Sequence, residues 1–501
     1  MTGDASNAGK TSGNGVRLAD LDGLSASAQA RAIAGRAISA REVMQSCLDR
    51  IDACNGRYNA VVSLRPRADV LAEAEAADSA VRSGQKLGPL HGLPVAIKDL
   101  AATAGLQTTL GSPIFANNMP ATDAVHVARM RAAGALIIGK TNVPEFGLGS
   151  HTVNRVFGPT RNAFDPTRSA GGSSGGGAVA LALGMLPIAD GSDFGGSLRN
   201  PAGWNNVFGL RPSQGRVPGN PVPDAYMSQL ATDGPMGTCV ADLALLLDVQ
   251  AGYDPSAPLS LPKPDVPFVD GPGGERPFRI AWMGDLGGHL AMEDGILSVC
   301  RNALTSFAAA GHVVEDLVPD FDYEALWRAF VRLRQFSVGG KLGPLFADAE
   351  KRASLGAAAQ WECEGHLRLS ASNVYEAASV RSAWSACIMA LFDGFDALAL
   401  PSAQVWPFPI DLPWPDRIAG RPMDSYHRWM EVVVPATLAG CPAASVPAGF
   451  GGPGDALPMG LQIIGRPRDD AGVLRICRAY ERANPWIAER TVANRIDALR
   501  R

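Results

Sequence analysis

Residues 171–177 read GGSSGGG and run directly into AVALALGML (178–186), a helical pattern that is apolar on nearly every side. A helix with no polar face has to be buried, so the glycine-serine stretch that enters it is expected to be buried too. This excludes the flexible linker that such a composition otherwise suggests. A second cluster, GSDFGGS (191–197), follows the helix, and Ser197 lies 24 positions after Ser173. A helix of this length and a short return strand would bring both serines to one edge of a sheet.

Short buried-strand runs alternate with helical stretches along the rest of the chain, which predicts an α/β fold. GLPVAIKDL (92–100), AGALIIGKTN (133–142), FRIAWM (278–283), HVVEDL (312–317), FDALALP (395–401), CPAASVPAG (441–449) and MGLQIIG (459–465) read as strands. FRIAWM, a helix over 293–310 and HVVEDL form a β-α-β unit. Ser39 and Glu42 have the spacing of a capping box that opens a helix. The expected organisation is a disordered lead-in at 1–17, a helical segment at 18–60 packed on the core, and one catalytic domain at 61–495 whose pocket region, 318–430, is the variable part. The Pro- and Gly-dense stretch 254–277 reads as an extended surface connection.

The net charge of -4 over 501 residues, with Lys and Arg scattered, excludes a nucleic-acid stripe and a basic membrane face. The longest apolar run, 178–189, contains Pro187 and is too short to span a bilayer. Eight dispersed cysteines form no CxxC pair and no Cys/His cluster, so they read as buried thiols of a reducing compartment. With no secretory pattern at the N-terminus, the expected location is the cytoplasm and the expected partner is a small molecule. A homodimer is left open.

Gly-rich entries to helices can bind phosphate, but this one lacks the Lys and Ser/Thr of a P-loop and does not fit G-x-G-x-x-G. Acyl transfer fits both clusters together. The glycines beside Ser197 would let a carbonyl oxygen approach the N–H groups of Phe194, Gly195, Gly196 and Ser197 as an oxyanion hole. None of the seven histidines sits in a recognisable nucleophile-base arrangement with these serines. A lysine can serve as the base if burial lowers its pKa.

GLPVAIKDL followed by GGSSGGGAVALALGMLPIADGSDFGGSLRNPAG resembles the amidase signature family. GKTNVPEFG, FGPTRNAFDPTR, VFGLRPSQGRV, GPMGTCVADLALLLDVQAG, LAGCPAASVPAGF and MGLQIIGRP resemble further family segments in the same order, over about residues 20–485 and most weakly between 317 and 395. The resemblance implies a large mixed, twisted central sheet flanked on both faces by helices, and a Ser-cisSer-Lys triad with no metal or cofactor. It makes Lys98 the general base and acid, Ser173 the serine with a cis peptide bond that relays the proton, and Ser197 the nucleophile, with the N–H groups of residues 194–197 as the oxyanion hole.

Ser174, Asp193 and Arg199 are expected to support these groups. Asp99 should face away from Lys98, since neighbours on a strand point to opposite sides, and brace a loop. The chain departs from the common family pattern at Phe194, usually threonine, at Trp204-Asn205-Asn206, usually a smaller segment, and at Gly177, usually serine. Phe194 is expected to reshape the acyl pocket.

The segment VWPFPIDLPWPD (405–416) reads as a wall or lid over the substrate. Trp406 and Trp414 within it, with Tyr226, Met227, Trp327 and Phe336, are the candidate pocket residues. His427 is either a pocket residue or a structural one. These features predict a hydrolase of aryl or bulky apolar amides acting through a seryl acyl-enzyme, with carbamates and esters as further substrates. The alternatives are a catalytically silent binding protein on the same fold and a glutamine-hydrolysing amidotransferase subunit.

Overall fold

In the computed structural model, which describes residues 21, 23–219, 224–227, 229–271, 276–491 and 495, three sheets share the described chain. The lead-in expected at 1–17 lies outside the described residues. Thirteen strands are described: β1 Val61–Val62, β2 Pro94–Lys98, β3 Leu136–Thr141, β4 Ala189–Asp193, β5 Phe208–Arg211, β6 Thr232–Gly237, β7 Arg279–Trp282, β8 Val313–Asp316, β9 Ala397–Pro401, β10 Arg417–Ile418, β11 Arg421–Pro422, β12 Ala443–Gly451 and β13 Leu457–Ile464. The large sheet has the order β4-β6-β5-β12-β13-β9-β7-β8. It is antiparallel from β4 to β9 and parallel across β9, β7 and β8. A separate three-stranded sheet, β1-β3-β2, ends at Lys98. β10 and β11 form a small hairpin.

Helices cover the large sheet on both faces, and the strand sequences explain why. Ala397 and Ala399 of β9 belong to one apolar cluster, with the helices Val240–Gln250, Ile296–Ala309 and Asp470–Ala483. Leu398 and Leu400 belong to another, with Tyr323–Ala347 and Ala371–Leu391. Side chains alternate across a strand, so a continuous apolar run such as ALALP fits only where both faces are covered. The expected mixed α/β architecture is therefore present.

The N-terminal helices run Ala26–Ala34 and Ala40–Tyr58, the second opened by the Ser39/Glu42 capping box. The Pro- and Gly-dense stretch is irregular where described, except for a 3-10 turn at Phe268–Asp270. It is more than a surface connection, because Phe268 is buried in the same cluster as β9. Strands of the large sheet come from both sides of this stretch. Among the described residues, no helix is long and apolar enough to cross a membrane.

Candidate active site

The apolar helix spans Gly175–Ala182, and all eight of its residues are buried. Three glycines of GGSSGGG are thus its first turn. Gly176 has to be glycine, since a Cβ there would lie 2.3 Å from the backbone nitrogen of Asn142. The peptide bond between Gly172 and Ser173 is cis. Ser150 donates to the Gly172 carbonyl and Thr152 to that of Gly171, which fixes the turn from outside. The N–H of Ser174 donates to the carbonyl of Ser197 at 3.3 Å, so the two glycine-serine clusters meet.

Lys98 projects from the end of β2 into this junction and is buried. Its Nζ meets four oxygens, all of them serine oxygens. It lies 2.8 Å from Ser173 Oγ and from Ser174 Oγ, 3.0 Å from Ser192 Oγ and 3.1 Å from the Ser192 carbonyl oxygen, all at hydrogen-bonding distance. Burial lowers the Lys98 pKa to about 7, against the raising influence of Asp190, Asp233 and Asp193. A neutral amine is therefore accessible near neutral pH. Asp99 faces the other way, as strand alternation predicts, and accepts from the N–H of Thr109. A second buried lysine, Lys140, donates instead to the Ala101 carbonyl and Thr103 Oγ1, away from the serines.

Ser197 lies in the turn after β4 and is 7% exposed. Gly196 has φ +92°, and a Cβ there would approach Val433 Cγ1 to 2.8 Å, so this position admits only glycine. Asp193 organises the turn. Its carboxylate accepts from the N–H groups of Gly196 at 2.9 Å and Leu198 at 3.2 Å, and from Arg199 Nε and Nη2 at 3.0 Å each. The sequence places Gly196 among the oxyanion donors, but its N–H is engaged inside the turn by Asp193. Arg199 also reaches Val433, Gln462 and Thr437, and Arg211 donates to the Asp193 carbonyl.

An aromatic layer covers the turn. Trp327, Phe330 and Arg334 share one face of the helix Tyr323–Ala347 at three- and four-residue spacing. The Phe330 ring would lie 3.1 Å from a Cβ at Gly195, and Trp327 stacks on Phe330 with centroids 5.6 Å apart. The Arg334 guanidinium lies 5.1 Å from the centre of the Phe194 ring while donating to Glu362 Oε1 and the Tyr426 hydroxyl. His427 is buried edge-on to Trp327, with Nδ1 2.9 Å from Ser425 Oγ.

Of the expected pocket residues, Phe194 and Trp327 join this layer, with His427 beside them. Phe336 is two positions past Arg334, on another side of the helix, and packs on His366. Tyr226 and Met227 are 67% and 61% exposed, with their N–H groups bound by Asp224. Trp406 fills the space over Gly451 and Gly452 and donates to the Asp294 carbonyl, in a different apolar cluster that Trp414 also packs against. The segment 405–416, expected as a wall or lid, is held down as a strap along the body. It is tied to the body through Ser169 N–H on the Phe408 carbonyl and Ile410 N–H on the Thr167 carbonyl. Trp204, a departure from the family pattern, is buried and stacked on Trp429.

Sequence reasoning missed Ser192, Asp190, His126 and Asp233 around Lys98, and Phe330 and Arg334 over the turn. Strand alternation holds the signal for two of them, since residues 190 and 192 share the face of β4 opposite Asp193.

The family model described as Amidase matches residues 42–474. The chain belongs to the amidase signature family. An acylamidase of Rhodococcus erythropolis is 35% identical to it, over 93% of this chain and 97% of that protein. A glutamyl-tRNA(Gln) amidotransferase subunit of Chloroflexus aurantiacus is 37% identical, over 94% and 99%. The solved structure of a bacterial aryl acylamidase of the family superposes with a TM-score of 0.86 at 30% identity, over 94% of this chain and 98% of that one. Amidase signature membership makes the chain a hydrolase, and it places the geometry above within an amide-cleaving family.

Proposed function

We propose that this amidase signature hydrolase cleaves the C–N bond of carboxylic amides bearing aryl or bulky apolar groups, through an acyl-enzyme on Ser197. The observation that carries this reading is the buried Lys98 amine, bound among the described residues by serine oxygens and able to lose its proton near neutral pH. In the proposed reaction Ser173 passes the Ser197 proton to Lys98, and Ser197 Oγ attacks the carbonyl carbon. The oxyanion then rests on the N–H groups of Phe194, Gly195 and Ser197. When the C–N bond breaks, Lys98 returns the proton through Ser173 to the departing amine. Water repeats the sequence on the ester and frees the acid and Ser197.

The aromatic layer of Phe194, Phe330 and Trp327 supports an aryl or bulky apolar substrate over a small zwitterion. Carbamates and esters pass through the same tetrahedral chemistry and are proposed as further substrates. The dispersed cysteines support a cytoplasmic location. A second reading, hydrolysis of glutamine as one component of a larger assembly, is favoured by the similarity to amidotransferase subunits.

A panel of anilides, aliphatic amides, aryl carbamates, nitrophenyl esters and glutamine separates the two readings. Turnover of anilides without glutamine is expected, and turnover of glutamine alone would select the second. Intact-mass analysis after a serine-directed phosphonate is expected to give one adduct, on Ser197. Labelling of another residue in active enzyme would refute the nucleophile assignment.

A further inference from the structure

The chemistry proposed above leaves a line of three titratable groups beside Lys98 without a role. Asp190 of β4 accepts the backbone N–H of Lys98 at Oδ1, 2.9 Å away. Its Oδ2 stands 3.3 Å from Nε2 of His126, which comes from the first turn of the helix Val125–Ala132. The other ring nitrogen, Nδ1, stands 3.5 Å from Asp233 Oδ2. Asp233 is the cross-strand partner of Ser192 on β6, so the line passes along one side of the lysine. His126 and Asp190 are buried, and the Asp233 side chain is 17% exposed.

The charged groups facing His126 are Asp190 from β4, Asp233 from β6 and Lys140 from β3. Lys98 of β2 and Lys341 of the helix Tyr323–Ala347 act on Asp233 in turn. The Asp190 and Asp233 carboxylates both favour the ammonium form of Lys98, which cannot accept a proton. A neutral imidazole between them would leave both charges poorly compensated. An imidazolium donates to Asp190 from Nε2 and sets its charge beside Asp233, whose Oδ2 lies 3.5 Å from Nδ1 without a hydrogen bond, and it lowers the net charge of the three groups from two negatives to one.

We propose that His126 is a positioning residue for the reaction: clamped between Asp190 and Asp233 as an imidazolium, it cancels one of their charges and fixes Asp190 under the Lys98 backbone, leaving Lys98 free to stand neutral. The proposal rests on the reading of Lys98 as the base. Burial pulls the ring toward its neutral form, and the Asp233 and Asp190 carboxylates outweigh it and raise the His126 pKa.

The test is the pH dependence of kcat/KM for an anilide, which reports the free enzyme's base and does not depend on how much protein folds. His126→Gln is expected to move the acid limb up by on the order of one pH unit, and Asp233→Asn to move it down. The double variant is expected to return it toward the wild-type position. A limb that stays in place in both single variants, or moves the same way in both, overturns the proposal. Should His126→Gln fail to fold, Asp233→Asn decides alone, and an unmoved or raised limb refutes it. Lys98→Ala separates the two levels: activity retained in that variant removes Lys98 as the base, whereas activity lost there with unmoved limbs in the other variants removes only the role of His126.

Discussion

The ring of Phe194 meets the ring of Phe330 edge-on, with centroids 6.2 Å apart. Phe194 opens the run of expected oxyanion donors, so this contact couples the approach to the proposed nucleophile, Ser197, to the helix above it. Phe194→Thr, which removes the ring, is expected to lower kcat/KM for anilides relative to aliphatic amides by roughly tenfold or more, as befits lost apolar contact in a pocket. Competition between one anilide and one aliphatic amide measures the ratio. An unchanged ratio would show that the ring does not face substrate.

In the proposed reaction Lys98 sets the pH dependence. Burial lowers its pKa to about 7, and only the neutral amine can take the Ser197 proton. The value of kcat/KM is therefore expected to rise as pH increases through about 7, since the lysine is protonated below it and neutral above. Ser197→Ala and Lys98→Ala should each reduce kcat by roughly 10⁴-fold or more, in the range found for other serine hydrolases. A wild-type profile flat through neutrality would contradict the base assignment.

Asp193 is expected to matter for stability as much as for rate. Burial pushes its carboxyl pKa up, but Arg199 and Arg211 outweigh this and hold it well below the usual carboxylate range. Stability from a depressed carboxyl is present above the unfolded-state pKa and is lost only as pH falls through the folded one. The contribution is therefore complete at neutral pH. Asp193→Asn leaves two buried guanidinium groups with less compensation and should cost about 3–5 kcal/mol. Urea unfolding reads this directly, and a midpoint equal to that of the wild type would argue against it.

Gly196 gives a sharper geometric test. Alanine there places a Cβ against Val433 and strains a left-handed backbone, which should displace the neighbouring N–H groups. The expected result is a loss in kcat of about 10²–10³-fold, the effect of removing an oxyanion donor, with KM little changed. Steady-state kinetics alongside thermal melting distinguish this from simple unfolding.

Lys98, Ser173 and Ser197 are legible because each sits in a string whose order along the chain is distinctive, and burial of GGSSGGG follows from the helix behind it. The lysine's other partners are not legible in the same way. Ser174 is expected as a supporting residue beside Ser173, but that both hydroxyls reach Lys98 depends on the backbone of the turn. His126 sits in an ordinary helix and meets Asp190 and Asp233 only through the packing of β4 and β6. Trp406 and Trp414 show the opposite failure. A proline-aromatic string reads alike whether it walls a pocket or fills the gap over a glycine backbone, and only Gly451 and Gly452 decide which. Phe330 and Arg334 fall where the resemblance is weakest, and helical spacing from Trp327 is the one available pointer.

Lys98 and Ser197 belong to different sheets, the lysine ending β2 of the three-stranded sheet and the serine following β4 of the eight-stranded one. Neither sheet alone holds both ends of the proposed proton path, so a chain in which only one has formed is expected to be inert. Hydrolytic competence is thus expected only once the two sheets have docked, and its appearance during refolding can serve as a clock for that event.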